Sequence, residues 1–355
     1  MTTEYLNSMI HEAEKIKQKL TKALDVTLIN PPEVKVGVTP HEVVFTENKL
    51  RLLHYYPTSD KTHPVPLILI FALINRPYIL DLKEGRSVVE VLINKGIDLY
   101  LIDWGSPGDE DNKLDLNHYI NRYIHKVVQK VKKISGSKRV SIMGYCMGGT
   151  MSAMYTSLHQ SEVKNLILMT AGIDFKAGGT LKLWGDKGNF DVDKFVEAYG
   201  NVPPEFLQAG FLFMKPFQNL VSKYLNFYEN IDDEKFVDNF LAMEKWLNDN
   251  IPVAGQVFRE FVKYCYQDNL LVKNKLKVNG KLVDLKKINC SVLNLIAEHD
   301  HLVPPDSSKV FNDLISSKDK ETIIYPTGHI GLSVSSKSLK NLWPRVAEWI
   351  IARSN

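Results

Sequence analysis

One short stretch of the chain carries the pattern of a displayed nucleophile: Gly144-Tyr145-Cys146-Met147-Gly148-Gly149. It lies where an apolar run, Val140–Gly144, meets a stretch rich in small residues, Gly148–His159. A thiol that attacks a carbonyl must stand clear of its strand on a tight, strained turn. Gly144 and Gly148 remove side chains that would collide in that turn, and Gly149 lets the following helix approach closely. The N-terminus of that helix favours an anion, here a thiolate on Cys146. The bland alternative is a buried cysteine beside a glycine-rich turn.

A nucleophile of this kind needs a base, and the base an orienting acid. Downstream, the apolar run Ser291–Ala297 leads into Glu298-His299-Asp300-His301, and Thr322–Tyr325 leads into Pro326-Thr327-Gly328-His329. If both runs are parallel strands, their loops emerge on the same sheet edge as Cys146. Asp300 is then the acid and His329 the base, in the order nucleophile, acid, histidine. Glu298 is the rival acid, and reads as a strand-end residue. His299 and His301 sit beside the acid and read as surface residues. The oxyanion of an attacked carbonyl would meet the Met147 N–H and a second N–H from Ile74 or Asn75, with Ile74 as the choice. Asn75, Asp103 and Trp246 are substrate-binding candidates, although a turn or capping role suits Asp103 better. Cys265 and Cys290 read as packing residues. The sequon Asn289-Cys290-Ser291 falls on a core strand and reads as accidental. There is no P-loop, no G-x-G-x-x-G and no HExxH, so neither a metal nor a separate cofactor is expected.

These residues must be held by a scaffold. Leu67–Leu73 is a continuous apolar run, which predicts a strand buried on both faces. Ser87–Lys95 has helical spacing and Ile97–Ile102 reads as the next strand. A helix is expected over Leu116–Ile134, then strands at Val140–Gly144 and Asn165–Thr170. The alternation predicts an α/β class with a mostly parallel sheet. It stops after Gly172 and resumes at Ser291, ending in a helix over Trp343–Ala352. The intervening text is helical and aromatic, too long for an ordinary loop. The expected organisation is an N-terminal helical arm at 1–40, a core at 41–172 and 286–355, and a helical cap at 173–285. Glu4–Ala23 reads as an amphipathic helix with Tyr5, Ile10, Ala13, Ile16 and Leu20 near one stripe.

The 355 residues are 44% hydrophobic and 24% charged, which argues for a folded chain. Forty-four basic against 41 acidic residues leave a net charge of +3, too balanced to point to nucleic acid. The longest apolar run, Leu67–Ile74, is far short of the roughly 18–20 residues of a membrane span. The N-terminus scatters charges where a signal peptide needs an apolar centre. Three cysteines without CxxC spacing suggest no disulfide framework. A soluble, cytoplasmic protein is expected.

The Gly144–Gly148 turn resembles the nucleophile elbow of α/β-hydrolases, with Cys in place of the usual Ser. The resemblance narrows further. GYCMGG, ALINRPYILDL (Ala72–Leu82), LIDWGSPG (Leu101–Gly108), DHLVP (Asp300–Pro304) and PTGHIG (Pro326–Gly331) together closely resemble polyhydroxyalkanoate synthases, over essentially the whole chain. The chain lacks the long N-terminal domain of one-subunit synthases. It looks like the short catalytic subunit of the two-subunit classes, III or IV, with the text nearer to the Bacillus-type class IV. The resemblance implies an α/β-hydrolase fold with a helical cap insertion, and an acyltransferase acting on (R)-3-hydroxyacyl-coenzyme A. Coenzyme A would be part of the substrate and a product, not a cofactor. It further implies polymerisation through a thioester on Cys146, with His329 and Asp300 as partners. A second synthase subunit in a hetero-oligomer and location at the surface of polyester granules follow from the same resemblance. A Cys-dependent thioesterase of the same fold is the alternative.

Overall fold

A computed structural model describes residues Thr3–Ser354, and the chain folds as two compact units. The smaller combines the residues up to Val36 with Gln208–Asp249. Its helix α1 (Thr3–Leu24) is tethered to the segment 223–232, a helix over Lys223–Glu229 and the turn after it. Lys19 Nζ donates to the Glu229 carbonyl at 2.9 Å and lies over the Tyr228 ring, and Lys22 pairs with Asp232 at 3.3 Å. In the same unit the helix Glu234–Asn248 starts at Asp233, whose carboxylate accepts the N–H groups of Lys235 and Phe236.

The larger unit, Gly37–Leu207 with Asn250 onward, is built on an eight-stranded sheet. In chain order the strands are β1 (Glu42–Glu47), β2 (Leu50–Tyr55), β3 (Leu67–Ile70), β4 (Leu99–Asp103), β5 (Val140–Tyr145), β6 (Val163–Met169), β7 (Ser291–Ala297) and β8 (Lys320–Tyr325). Their spatial order is β1-β2-β4-β3-β5-β6-β7-β8. Only β2 runs against its neighbours; from β4 to β8 every pairing is parallel. The central strands β3, β4 and β5 are buried along their whole length. This is why they read as continuous apolar runs rather than alternating ones. Helices α2 (Val88–Asn94), α3 (His125–Ser135), α4 (Met147–Leu158) and α5 (Trp343–Ile351) belong to this unit. Ser87 starts α2 by accepting the Glu90 N–H at 2.9 Å.

Strand β3 is shorter than expected. Phe71–Leu73 stay buried but leave the ladder after Ile70, where the chain turns into the loop beside Cys146. The hairpin β1–β2 has no counterpart in the sequence reading. The segments 173–207 and 250–285, expected within a cap, lie in the same compact unit as the sheet, joined by the Val202–Val253 bridge. Only 208–249 of that stretch groups with α1. The N-terminal boundary falls at Gly37, whose N–H donates to the Asp81 carbonyl at 2.9 Å. Asp81, fully buried, also accepts Thr39 and Ser87 hydroxyls at 2.6 and 2.7 Å. Among the described residues no helix is long and apolar enough to cross a membrane.

Candidate active site

Cys146 sits between the last residue of β5 and the first of α4, with φ 54° and ψ −124°. A non-glycine residue pays conformational strain there, on the order of 1–3 kcal/mol, which the surroundings must impose. They do so by packing without room. A Cβ on Gly148 would stand 2.6 Å from the Phe71 carbonyl oxygen, and one on Gly149 would stand 2.6 Å from the Ala171 Cβ. One on Gly144 would meet the Gly149 Cα at 2.5 Å. The Cys146 N–H is held by the Met169 carbonyl at 2.9 Å, and its own carbonyl accepts from Gly149 and Thr150. The turn therefore holds a partly exposed Cys146 at the end of β5.

Asp300 and His329 come from the loops after β7 and β8, adjacent parallel strands. The two loops run on together: the Glu298 N–H donates to Tyr325 and the His299 N–H to Thr327. His329 Nδ1 and Asp300 Oδ2 are 2.6 Å apart, both side chains buried. Asp300 Oδ1 accepts the Leu302 and Val303 N–H groups at 2.9 Å each, which fixes the carboxylate plane. Burial opposes protonation of His329. The Asp300 carboxylate and the neighbouring Cys146 outweigh it through charge and side-chain hydrogen bonds, and raise the imidazole from 6.5 to about 10. The three side chains expected from sequence are thus brought together. Glu298, His299 and His301 are exposed, and none is hydrogen-bonded to His329 in the way Asp300 is.

Two neighbours were not foreseen. Tyr145, fully buried, donates its hydroxyl to the His329 carbonyl at 2.9 Å and stacks on the His329 ring at 5.2 Å. Burial pushes its phenol well above the ordinary value, so it remains a donor. Tyr266 packs edge-on against Phe175 at 4.8 Å. Its phenol is pushed up first by burial and then by the charge of Cys146. Nothing in the motif spacing marks either tyrosine.

The remaining candidates are placed as follows. Met147 is the first residue of α4, so its N–H has no acceptor within the helix. Ile74 is half-buried in the loop after β3, the loop whose Phe71 carbonyl abuts Gly148. Asn75 is buried, and its amide donates to the Asn250 side chain. Asp103 is buried too: it pairs with Arg51 and accepts the Gly105 N–H at 3.0 Å, a turn role. Trp246 lies on the helix Glu234–Asn248 of the smaller unit. Cys265 and Cys290 are buried in the main hydrophobic cluster. No group of three or more His, Cys, Asp or Glu side chains among the described residues could hold a metal ion.

Family models match on two levels. Residues 77–335 match the alpha/beta hydrolase fold, and residues 3–92 match the poly-beta-hydroxybutyrate polymerase (PhaC) N-terminus. A poly(3-hydroxyalkanoate) polymerase subunit PhaC from Allochromatium vinosum is 41% identical, with 95% of each chain covered. The chain belongs to this PhaC family. The corresponding subunit of Synechocystis is 38% identical, covering 98% of this chain and 94% of that one. That of Haloferax mediterranei is 50% identical over 91% of this chain, which spans 66% of the relative's length. Among solved structures, a soluble variant of Saccharomyces cerevisiae monoglyceride lipase matches with a TM-score of 0.56 at 16% identity. It covers 92% of this chain and 99% of its own. That likeness establishes the fold. In this PhaC family member the turn between β5 and α4 carries Cys146.

Proposed function

We propose that this chain polymerises (R)-3-hydroxyacyl-coenzyme A, with 3-hydroxybutyryl-coenzyme A as the substrate to try first, and releases coenzyme A. The observation that carries the reading is the buried His329–Asp300 pair at 2.6 Å beside a glycine-walled cysteine. His329 accepts the Cys146 proton, and the thiolate adds to the substrate thioester carbonyl. The oxyanion faces the Met147 N–H and an N–H of the Ile74 loop. The intermediate collapses to an acyl thioester on Cys146, and the leaving coenzyme A sulfur takes the proton back from His329. Exchange of one thioester for another leaves the acyl group activated for the next step. The 3-hydroxyl of a second unit then attacks a thioester carbonyl and gives its proton to the base; the carbonyl–sulfur bond breaks as the ester forms, and the leaving sulfur takes that proton back. Engagement of both Asp300 oxygens, by His329 and by two N–H groups, supports His329 as that base. A second synthase subunit and deposition of product as a granule belong to the same proposal, and rest on the family.

The test is to mix the purified chain with 3-hydroxybutyryl-coenzyme A, with and without a cognate second subunit, and to follow thiol release and product. Release with insoluble polyester is expected, with Cys146→Ala reducing acylation to background. Soluble 3-hydroxybutyrate as the only product would make the chain a thioesterase. Turnover by a well-folded Cys146→Ala protein would remove the nucleophile assignment.

A further inference from the structure

The loop that follows β3 is held at both ends. At its start the Trp104 indole N–H donates to the Phe71 carbonyl at 3.0 Å, and that carbonyl lies against Gly148. At its end Pro77–Leu80 form a short helical turn with Pro77, Ile79 and Leu80 buried. Between these points Ile74 and Asn75 lie outside the ladder of the main sheet. Among the described residues the Ile74 N–H has no protein acceptor, which is what a donor to an oxyanion needs.

What fixes the middle of the loop comes from far along the chain. Asn75 forms an isolated antiparallel bridge with Asn250, and its side-chain amide donates to Asn250 Oδ1. Asn75 is 7% exposed, so its amide is committed inside the protein, where a lost partner would be felt. Main chain and side chain thus act together on the residue next to Ile74. Asn250 is itself well anchored. It is the first residue of the larger unit after 208–249. Close behind it, Val253 and Val202 exchange N–H to carbonyl bonds of 2.8 and 3.2 Å. The Gln256 and Val257 N–H groups donate to the Asn112 and Leu114 carbonyls, at 2.9 and 2.8 Å, in the segment after β4. Asn201 joins the same two segments, donating to the Gly108 carbonyl at 2.6 Å and accepting the Gly255 N–H at 3.2 Å. Residues 250–257 are therefore a fixed post against which Asn75 is set.

We propose that Asn75 is a positioning residue for acyl transfer: locked to Asn250, it sets the main chain of the loop after β3 so that the Ile74 N–H, together with that of Met147, meets the oxyanion of an attacked carbonyl. Asn75 acts through the loop and touches no substrate. The inference deepens the proposed reaction and rests on Cys146 as its nucleophile, but not on which acyl-coenzyme A is used.

Two reactions of the one thiol test it. With 4-nitrophenyl acetate the Cys146 sulfur bonds to the acetyl carbon through an oxyanion; the carbon–oxygen bond then breaks, 4-nitrophenolate leaves, and the thiol proton passes to His329. With iodoacetamide the thiolate displaces iodide from a tetrahedral carbon, and no oxyanion forms. Cys146→Ala protein gives the background for both. Asn75→Ala should slow acylation about tenfold and leave alkylation unchanged. Asn250→Ala should do the same, and the double variant should be no slower than either single one. Asn250→Asp, which keeps an acceptor for the Asn75 amide, should retain the parent rate. With 3-hydroxybutyryl-coenzyme A the loss should fall on kcat, with KM unchanged. Circular dichroism and melting on each variant check that the fold is intact. Unchanged acylation in folded Asn75→Ala protein overturns the proposal, as does equal slowing of both reactions, which would mean a displaced thiol. A rise in KM alone would make Asn75 a substrate contact instead. If Cys146 of the parent reacts with neither reagent, the nucleophile assignment itself falls, and the positioning role falls with it.

Discussion

The hydroxyl of Tyr145 ties the turn that carries Cys146 to the loop that carries His329. It donates to the His329 carbonyl at 2.9 Å while its ring lies on the imidazole, and Phe71 closes the other side edge-on at 5.2 Å. Tyr145 acts through His329 and is a positioning residue. Tyr145→Phe keeps the ring and its packing but leaves a buried carbonyl without its donor. The expected cost is about 1 kcal/mol of stability. A base free to shift should lower kcat about tenfold with little change in KM. A melting curve and steady-state kinetics on the same preparation separate the two effects. Loss of stability with unchanged kcat would reduce Tyr145 to packing. In the sequence this residue is only a filler between a glycine and a cysteine, because its partner lies 184 positions away. Cys146 and Asp300 were legible for the opposite reason, since each comes at or just after the end of a buried strand that announces itself by composition, whereas His329 follows the half-exposed strand β8 and was found by its place after the run Thr322–Tyr325.

The same contrast holds for whole elements. Strands buried on both faces are visible as apolar runs, and β7 was read at its observed bounds. The hairpin β1–β2 was not, although Asn48 (φ 51°) provides its turn. A register shift between Val43 and Phe45 breaks the alternation by which a half-exposed strand is recognised. Nor could the sequence divide the aromatic insertion, since the grouping of 208–249 with α1 depends on contacts such as Lys19 with Glu229 across 210 positions. The turn of β5 into α4 was legible because its glycines serve packing rather than flexibility alone. Gly148→Ala tests that point. The new methyl would press on the Ile70 and Phe71 carbonyls, which are backbone and cannot rotate away. A loss of about 3 kcal/mol is expected, seen as an early denaturant midpoint, together with retracted acylation of Cys146. An alanine variant as stable as the parent would mean that β3 and α4 can separate without cost.

Across the whole molecule, two histidines of the larger unit are shifted in opposite directions and so tie its stability to pH from both sides. His159, at the end of α4, is lowered from 6.5 to about 4, by burial first and then by His125 and Lys281, with Glu162 opposing. Its ring lies between those of His125 and Tyr155, each at 4.7 Å, and its Nε2 is 2.8 Å from the Asn121 side-chain oxygen. The unfolded chain protonates this residue near 6.5, so its contribution is present above that value and is lost as pH falls toward 4. His329 is shifted the other way, to about 10. Its contribution is complete below about 6.5 and fades as pH rises toward 10. Thermal stability should therefore peak near neutrality and fall on both sides, by at least about 2 °C per arm given the shallow response of a chain this size. The arms have different owners. His159→Asn should flatten the acid arm and leave the alkaline one, and Asp300→Asn, which removes the main support of the His329 proton, should do the reverse. Melting temperatures of the parent and both variants between pH 4.5 and 9.5 measure this directly. If either variant moved both arms equally, the slope would come from net charge rather than from these two sites.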